Sequence, residues 1–133
     1  FISLLDELSV KLARTFNQER VSRQNQVFHA ILAYIDEHYT EQDLSLSGIA
    51  DQFDMTSSTL SRLFSDSTGM RFIDYLSHKR LMKASELLTK TKLSIRDIVE
   101  QIGYIDVSSF TRKFTAEYGQ SPGRFRQNAL RTT

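Results

Sequence analysis

No cysteine occurs among the 133 residues. Disulfide frameworks, thiolate catalysis and cysteine-ligated zinc or iron–sulfur sites are therefore excluded. There are only one proline and five glycines, a scarcity that predicts long helices with few turns. No apolar run approaches the roughly 20 residues a membrane-spanning helix needs. The chain opens Phe1-Ile2 with no initiator methionine, so it reads as a fragment, with a further segment expected before it.

What is present is the balance of a globular protein, 40% hydrophobic and 25% charged residues. The length suits one ordinary domain, or two very small subdomains sharing a core. The net charge of +1 hides an asymmetry. Residues 1–59 carry four Lys/Arg against nine Asp/Glu, whereas residues 60–133 carry thirteen against seven. A basic C-terminal part hints at a polyanionic partner. A solvated lysine-rich surface is the competing explanation of that charge.

The apolar spacing is helical almost throughout. Leu5, Leu8 and Leu12 fall three to four apart, as do Phe28, Ile31, Leu32 and Ile35. An all-α fold follows. Caps delimit the helices. Ser45 precedes a short helix over Leu46 to Phe53, and Asp54-Met55 is a tight connection. Thr56 caps a second helix that ends before Gly69. A longer helix covers roughly Phe72 to Leu88, with Leu76, Ala84, Leu87 and Leu88 on its apolar side. Ser94 then caps a helix through Ile102, which Gly103 breaks. Asp106 caps the next, Gly119 ends it, and Ser121-Pro122 opens a last short one.

The recurrence is an internal repeat. Leu44-Ser45-Leu46 matches Leu93-Ser94-Ile95, Ile49 matches Ile98, and Asp51-Gln52-Phe53 matches Glu100-Gln101-Ile102. After one inserted residue, Thr59-Leu60-Ser61-Arg62-Leu63-Phe64 matches Ser109-Phe110-Thr111-Arg112-Lys113-Phe114. Each copy has the form of a helix-turn-helix, whose second helix can lie in a DNA major groove. In the first second helix Leu60, Leu63 and Phe64 form a stripe that must be buried, opposite Ser58, Ser61, Arg62 and Ser65. In the other, Phe110 and Phe114 are buried opposite Ser108, Thr111, Arg112 and Thr115. Short hydroxyl residues let a helix approach base edges, and arginine can bond guanine O6 and N7 in bidentate fashion. Lys113 stands where the first copy has Leu63, and is expected half exposed with its ammonium near a phosphate.

These segments resemble the DNA-binding domain of AraC/XylS-type bacterial transcription regulators. The resemblance rests on Leu46-Ser47-Gly48-Ile49-Ala50, Ser58 to Phe64, Arg80 to Ala84 with Leu87-Leu88, Gly103-Tyr104, Ser108 to Phe114, Tyr118-Gly119 and Ser121 to Arg126. It covers about residues 27–127. It implies sequence-specific binding of double-stranded DNA, with two recognition helices in successive major-groove segments. It assigns base reading to Ser58, Ser61, Arg62, Ser108, Thr111 and Arg112. Ser57, Ser65, Ser109, Lys113 and Thr115 are expected on the DNA backbone. Family members often carry a bulky aromatic, Gln or Arg where this chain has Ser58 and Ser108; hydroxyls there leave more of the specificity to DNA shape. The implied domains are a first helix-turn-helix over 26–70, a linker helix over 71–90 and a second helix-turn-helix over 91–133. Residues 1–25 lie outside the resemblance and read as a helical linker in which Leu5, Leu8 and Leu12 form a short coiled-coil seam that can dimerise. The competing reading is a linker helix packed on its own domain or on an upstream sensor module. Also implied are an activator's contact with RNA polymerase, an effector-sensing module upstream, a cytoplasmic, nucleoid-associated location, and no cofactor.

Catalysis has little to stand on. His29, His38 and His78 are scattered, with no HExxH spacing, phosphate loop or nucleophile elbow. No metal site is expected. His78-Lys79-Arg80 reads as a solvated or phosphate-facing stretch. The alternative to DNA binding is a helical protein-interaction adaptor.

Overall fold

The structure, a computed structural model, describes Arg23 and residues 25–131. The seam expected at Leu5, Leu8 and Leu12 lies outside them. Seven helices and no strand occur among the described residues. They are α1 over 25–38, α2 (Leu46–Gln52), α3 (Ser57–Thr68), α4 (Phe72–Lys90), α5 (Ile95–Ile102), α6 (Val107–Tyr118) and α7 (Pro122–Arg131). The capping chemistry set these limits. The side chains of Ser45, Thr56, Ser94 and Asp106 each accept a backbone N–H from the first turn they precede. The linker helix runs two residues past Leu88, because the Arg126 guanidinium donates to the carbonyls of Leu88 (3.0 Å) and Thr91 (3.4 Å) at its end.

Each helix-turn-helix owns a core, and α4 contributes to both. Ile31 and Ile35 of α1 pack with Ile49, Ala50, Leu60, Phe64, Phe72 and Leu76. Leu81, Ala84 and Leu88 from the second half of α4 pack with Ile98, Val99, Ile102, Phe110 and Phe114. Leu63, expected buried, is half-buried and packs at the edge of the first core. It flanks the Leu60–Phe64 stripe instead of centring on it. Its repeat partner Lys113 is exposed.

The inserted residue of the second repeat can be located. Asp54 and Gly103 are both left-handed, with φ of 56° and 88°. The N–H of Met55 donates to the Ala50 carbonyl as that of Tyr104 does to Val99. The two turns therefore match up to Met55 and Tyr104, and the extra residue before the next cap is Ile105. It is 78% exposed.

A polar lock ties the two units across the middle of α4. Arg80, only 9% exposed, donates from Nε to the Tyr39 carbonyl and from Nη2 to the Glu41 carbonyl, both at 2.7 Å. Its guanidinium also lies 5.9 Å from the centre of the Tyr104 ring. The Tyr104 hydroxyl shares a 2.8 Å hydrogen bond with that of Ser77. Lys79 pairs with Asp36, and His78 Nδ1 meets Glu117. The expectation that residues 78–80 form a solvated or phosphate-facing stretch is thus corrected for Lys79 and Arg80, whereas His78 stays half in solvent. All three side chains hold α4 to its neighbours.

Candidate nucleic-acid interface

The two candidate recognition helices, α3 and α6, are each twelve residues long and built alike. Thr56 accepts the Thr59 N–H at 3.1 Å, and the Asp106 carboxylate accepts the Ser109 N–H at 2.7 Å. That backbone N–H, then the Ser109 hydroxyl, holds the Asp106 carboxyl below its usual range, with the charge of Arg112 adding to the effect. A left-handed glycine ends each helix, Gly69 and Gly119. Phe64 and Phe114, both fully buried, anchor the helices from beneath.

On α3 the side chains of Ser57, Ser58, Ser61 and Arg62 are exposed, and Ser65 is half-buried. On α6, Ser108, Arg112, Lys113 and Thr115 are exposed. Ser109 and Thr111 are half-buried. Thr111 therefore departs from the outward stripe expected of it. Its repeat partner Ser61, at the same spacing from Phe64, is exposed, so the difference comes from what packs beside α6 and not from the position on the helix. Ser61, Ser109, Arg112 and Lys113 border a common groove between the units. Ser58, Arg62 and Ser108 are not among its lining residues.

The basic excess of the C-terminal part divides into two groups. Lys79, Arg80 and Arg126 are engaged within the fold, and Lys83 and Lys90 pair with Glu86. Arg62, Arg112 and Lys113 form no ion pair among the described residues. The cations left for a partner therefore include those on the two candidate recognition helices. Arg71 was missed in the sequence. It stands at the N-cap of α4 without a side-chain capping bond and lines the same groove. Its signal was legible, because an arginine immediately before a helix replaces the favoured Ser, Thr, Asp or Asn.

A tandem of helix-turn-helix units with paired basic, hydroxyl-rich helices defines the class of the protein. The helix-turn-helix domain family matches residues 49–128, and the chain belongs to the AraC-type branch of that family. It is 38% identical over 110 residues to the uncharacterised HTH-type transcriptional regulator YfiF of Bacillus subtilis, covering 78% of this chain and 35% of that one. It is 31% identical over 124 residues to the HTH-type transcriptional activator RhaS of Escherichia coli, covering 93% and 44% respectively. The chain thus spans less than half the length of these relatives. Among solved structures it is similar to the C-terminal domain of the two-component response regulator yesN from Fusobacterium nucleatum. That match has 37% identity and a TM-score of 0.74, and covers 76% of this chain and 98% of the other.

Proposed function

We propose that this chain is the sequence-specific double-stranded DNA-binding part of a bacterial transcription regulator, with α3 and α6 in successive major-groove segments on one face of the duplex. The observation that carries this is the duplicated face: two helices of equal length, each with exposed serine and an unpaired arginine, set on fully buried phenylalanines. The repeat holds Arg62 and Arg112 at the same place in each helix. Base reading falls to Ser58, Ser61, Arg62, Ser108, Thr111 and Arg112. Backbone contact falls to Ser57, Ser65, Ser109, Lys113 and Thr115. The domain limits are those set out from the sequence, and binding is the whole task of this part, with no catalysis. The printed name of one relative as a transcriptional activator supports a role in activation. RNA polymerase as a further partner and an effector-sensing module elsewhere in the whole protein are part of the same proposal. Dimerisation through residues 1–25 and a cytoplasmic, nucleoid-associated location belong to the same proposal. Among the described residues no helix is long and apolar enough to cross a membrane.

Two measurements test it. Affinity for a specific duplex is expected to fall with salt along a log–log slope of roughly −0.9 per phosphate neutralised. A salt-independent affinity, or none, sinks the DNA reading in favour of the protein-interaction adaptor. Arg62→Ala and Arg112→Ala are each expected to weaken specific binding by about 1–3 kcal/mol and to relax preference at separate base positions. Those positions are expected about ten base pairs apart. A base-by-base competition series in which both variants relax the same position rules out the two-segment arrangement. The first unit is expected to be the narrower reader, since Lys113 beside Arg112 draws the second toward phosphate.

A further inference from the structure

The groove between the two units encloses about 600 Å³. Ser61 of α3 lines one side, Ser109, Arg112 and Lys113 of α6 another, and Arg71 and Ile73 enter from the start of α4. No Asp or Glu is among its lining residues. Arg71 is locally out of place. A cation at a helix N-terminus opposes the helix dipole, and its side chain makes no capping bond. The side chain is 76% exposed and is tethered by Asp74, itself half in solvent, through a 3.0 Å bond to Nε. Two branched aliphatic residues also stand open on this groove, Ile73 at 57% and Ile105 at 78% exposure. Ile105 is the residue that the second repeat has and the first lacks.

When two helices occupy successive major-groove segments on one face of a duplex, the minor groove crosses that face between them. Whatever lies between α3 and α6 on the DNA side therefore faces the minor groove. The chemistry matches. Minor-groove walls are apolar deoxyribose, the rims are phosphate, and narrow A·T tracts concentrate negative potential that draws arginine. Minor-groove proteins combine such cations with exposed aliphatic side chains.

We propose that this groove receives the minor groove of the same duplex, with Arg71 as the residue that reads its width and Ile73 and Ile105 against the sugar walls. This rests on the DNA-binding reading above and adds a third reading point between the two helices. A retained local mismatch, a cation where a cap is favoured, is what such a role leaves in a sequence.

The test uses the whole 133-residue chain and a duplex selected by it from a random library. The central base pairs between the two contacted segments are then replaced by an A·T tract or by G·C pairs. The intact chain is expected to prefer the A·T centre by about fivefold or more. Arg71→Ala is expected to abolish that preference while leaving discrimination at the Arg62 and Arg112 positions unchanged. Arg71→Ser, which restores a capping hydroxyl and so secures the start of α4, is expected to do the same. If either variant keeps the preference for the A·T centre, or weakens binding equally on both centres, the minor-groove role is overturned while DNA binding stands. If the intact chain selects no duplex at all, the DNA-binding reading falls and takes this proposal with it.

Discussion

Phe64→Ala and Phe114→Ala are each expected to destabilise the protein by about 3–5 kcal/mol, the range for deleting a fully buried ring. Both side chains are 0% exposed. Phe64 meets Phe28, Phe72 and Tyr75 edge-on at ring-centre distances of 5.8, 5.8 and 5.0 Å. Phe114 meets Phe110, Tyr118 and Phe125 at 5.5, 4.5 and 5.3 Å. Each such pair adds about 0.5–1.5 kcal/mol beyond the area it buries. Neither cavity is expected to collapse easily. Phe64 draws on α1 and α4, and Phe114 on α7, so closing the void means moving helices that other contacts hold. A loss of this size is a large part of the 5–15 kcal/mol or so typical of a whole domain. Because α4 serves both cores, loosening one unit is also expected to weaken the other. Urea unfolding, followed by helical signal, checks this. A loss under about 1 kcal/mol at both positions would mean that the buried faces had been assigned the wrong way round. Leu63→Ala, at a half-buried edge, is expected to cost distinctly less than either.

The repeat made most of the fold legible. Ser45, Thr56, Ser94 and Asp106 announce helix starts because a side-chain oxygen at that place accepts an otherwise orphaned N–H. Phe64 and Phe114 announce the buried face because they recur in register with Leu60 and Phe110. What stayed hidden depends on how the two units meet. Arg80 looks like a surface residue of a basic run, and its acceptors are backbone carbonyls some forty positions earlier, which leave no mark in the side-chain pattern. The Lys79 pairing leaves no mark in the sequence for the same reason, its partner Asp36 lying on another helix. The groove beside Arg71 exists only once α3, α4 and α6 are placed together. Thr111 was assigned by analogy with Ser61. The two hold the same flank, but one is exposed and the other half-buried, a difference set by tertiary surroundings and not by spacing.

Gly103→Ala is expected to be far more damaging than Gly119→Ala, although both glycines end a helix in the left-handed region, with φ of 88° and 75°. For an alanine that conformation alone costs about 1–2 kcal/mol, partly offset by the lower entropy of its unfolded chain. Gly119 has open space where a Cβ would stand, so its substitution carries only that cost. At Gly103 the Cβ would lie 2.7 Å from the Thr40 carbonyl oxygen and 3.2 Å from the Arg80 guanidinium carbon. The first contact is backbone and cannot swing aside. It is also the place where the α1–α2 connection touches the second unit, beside the carbonyls that Arg80 holds. Relief therefore requires the units to move apart, adding roughly 1–3 kcal/mol of overpacking to the conformational strain. The functional consequence follows from the same geometry. A shift at Thr40 changes the distance and angle between α3 and α6, which is what two-segment DNA binding depends on. Gly103→Ala is accordingly expected to lose affinity for a duplex carrying both contacted segments, and much less for one carrying a single segment. Gly119→Ala is expected to leave the ratio of the two affinities as it is. Thermal unfolding of the two variants and titrations with paired one-segment and two-segment duplexes check both halves. Equal destabilisation by the two substitutions would show that the Thr40 contact carries no weight. An unchanged affinity ratio in Gly103→Ala would show that the junction does not set the spacing of the recognition helices.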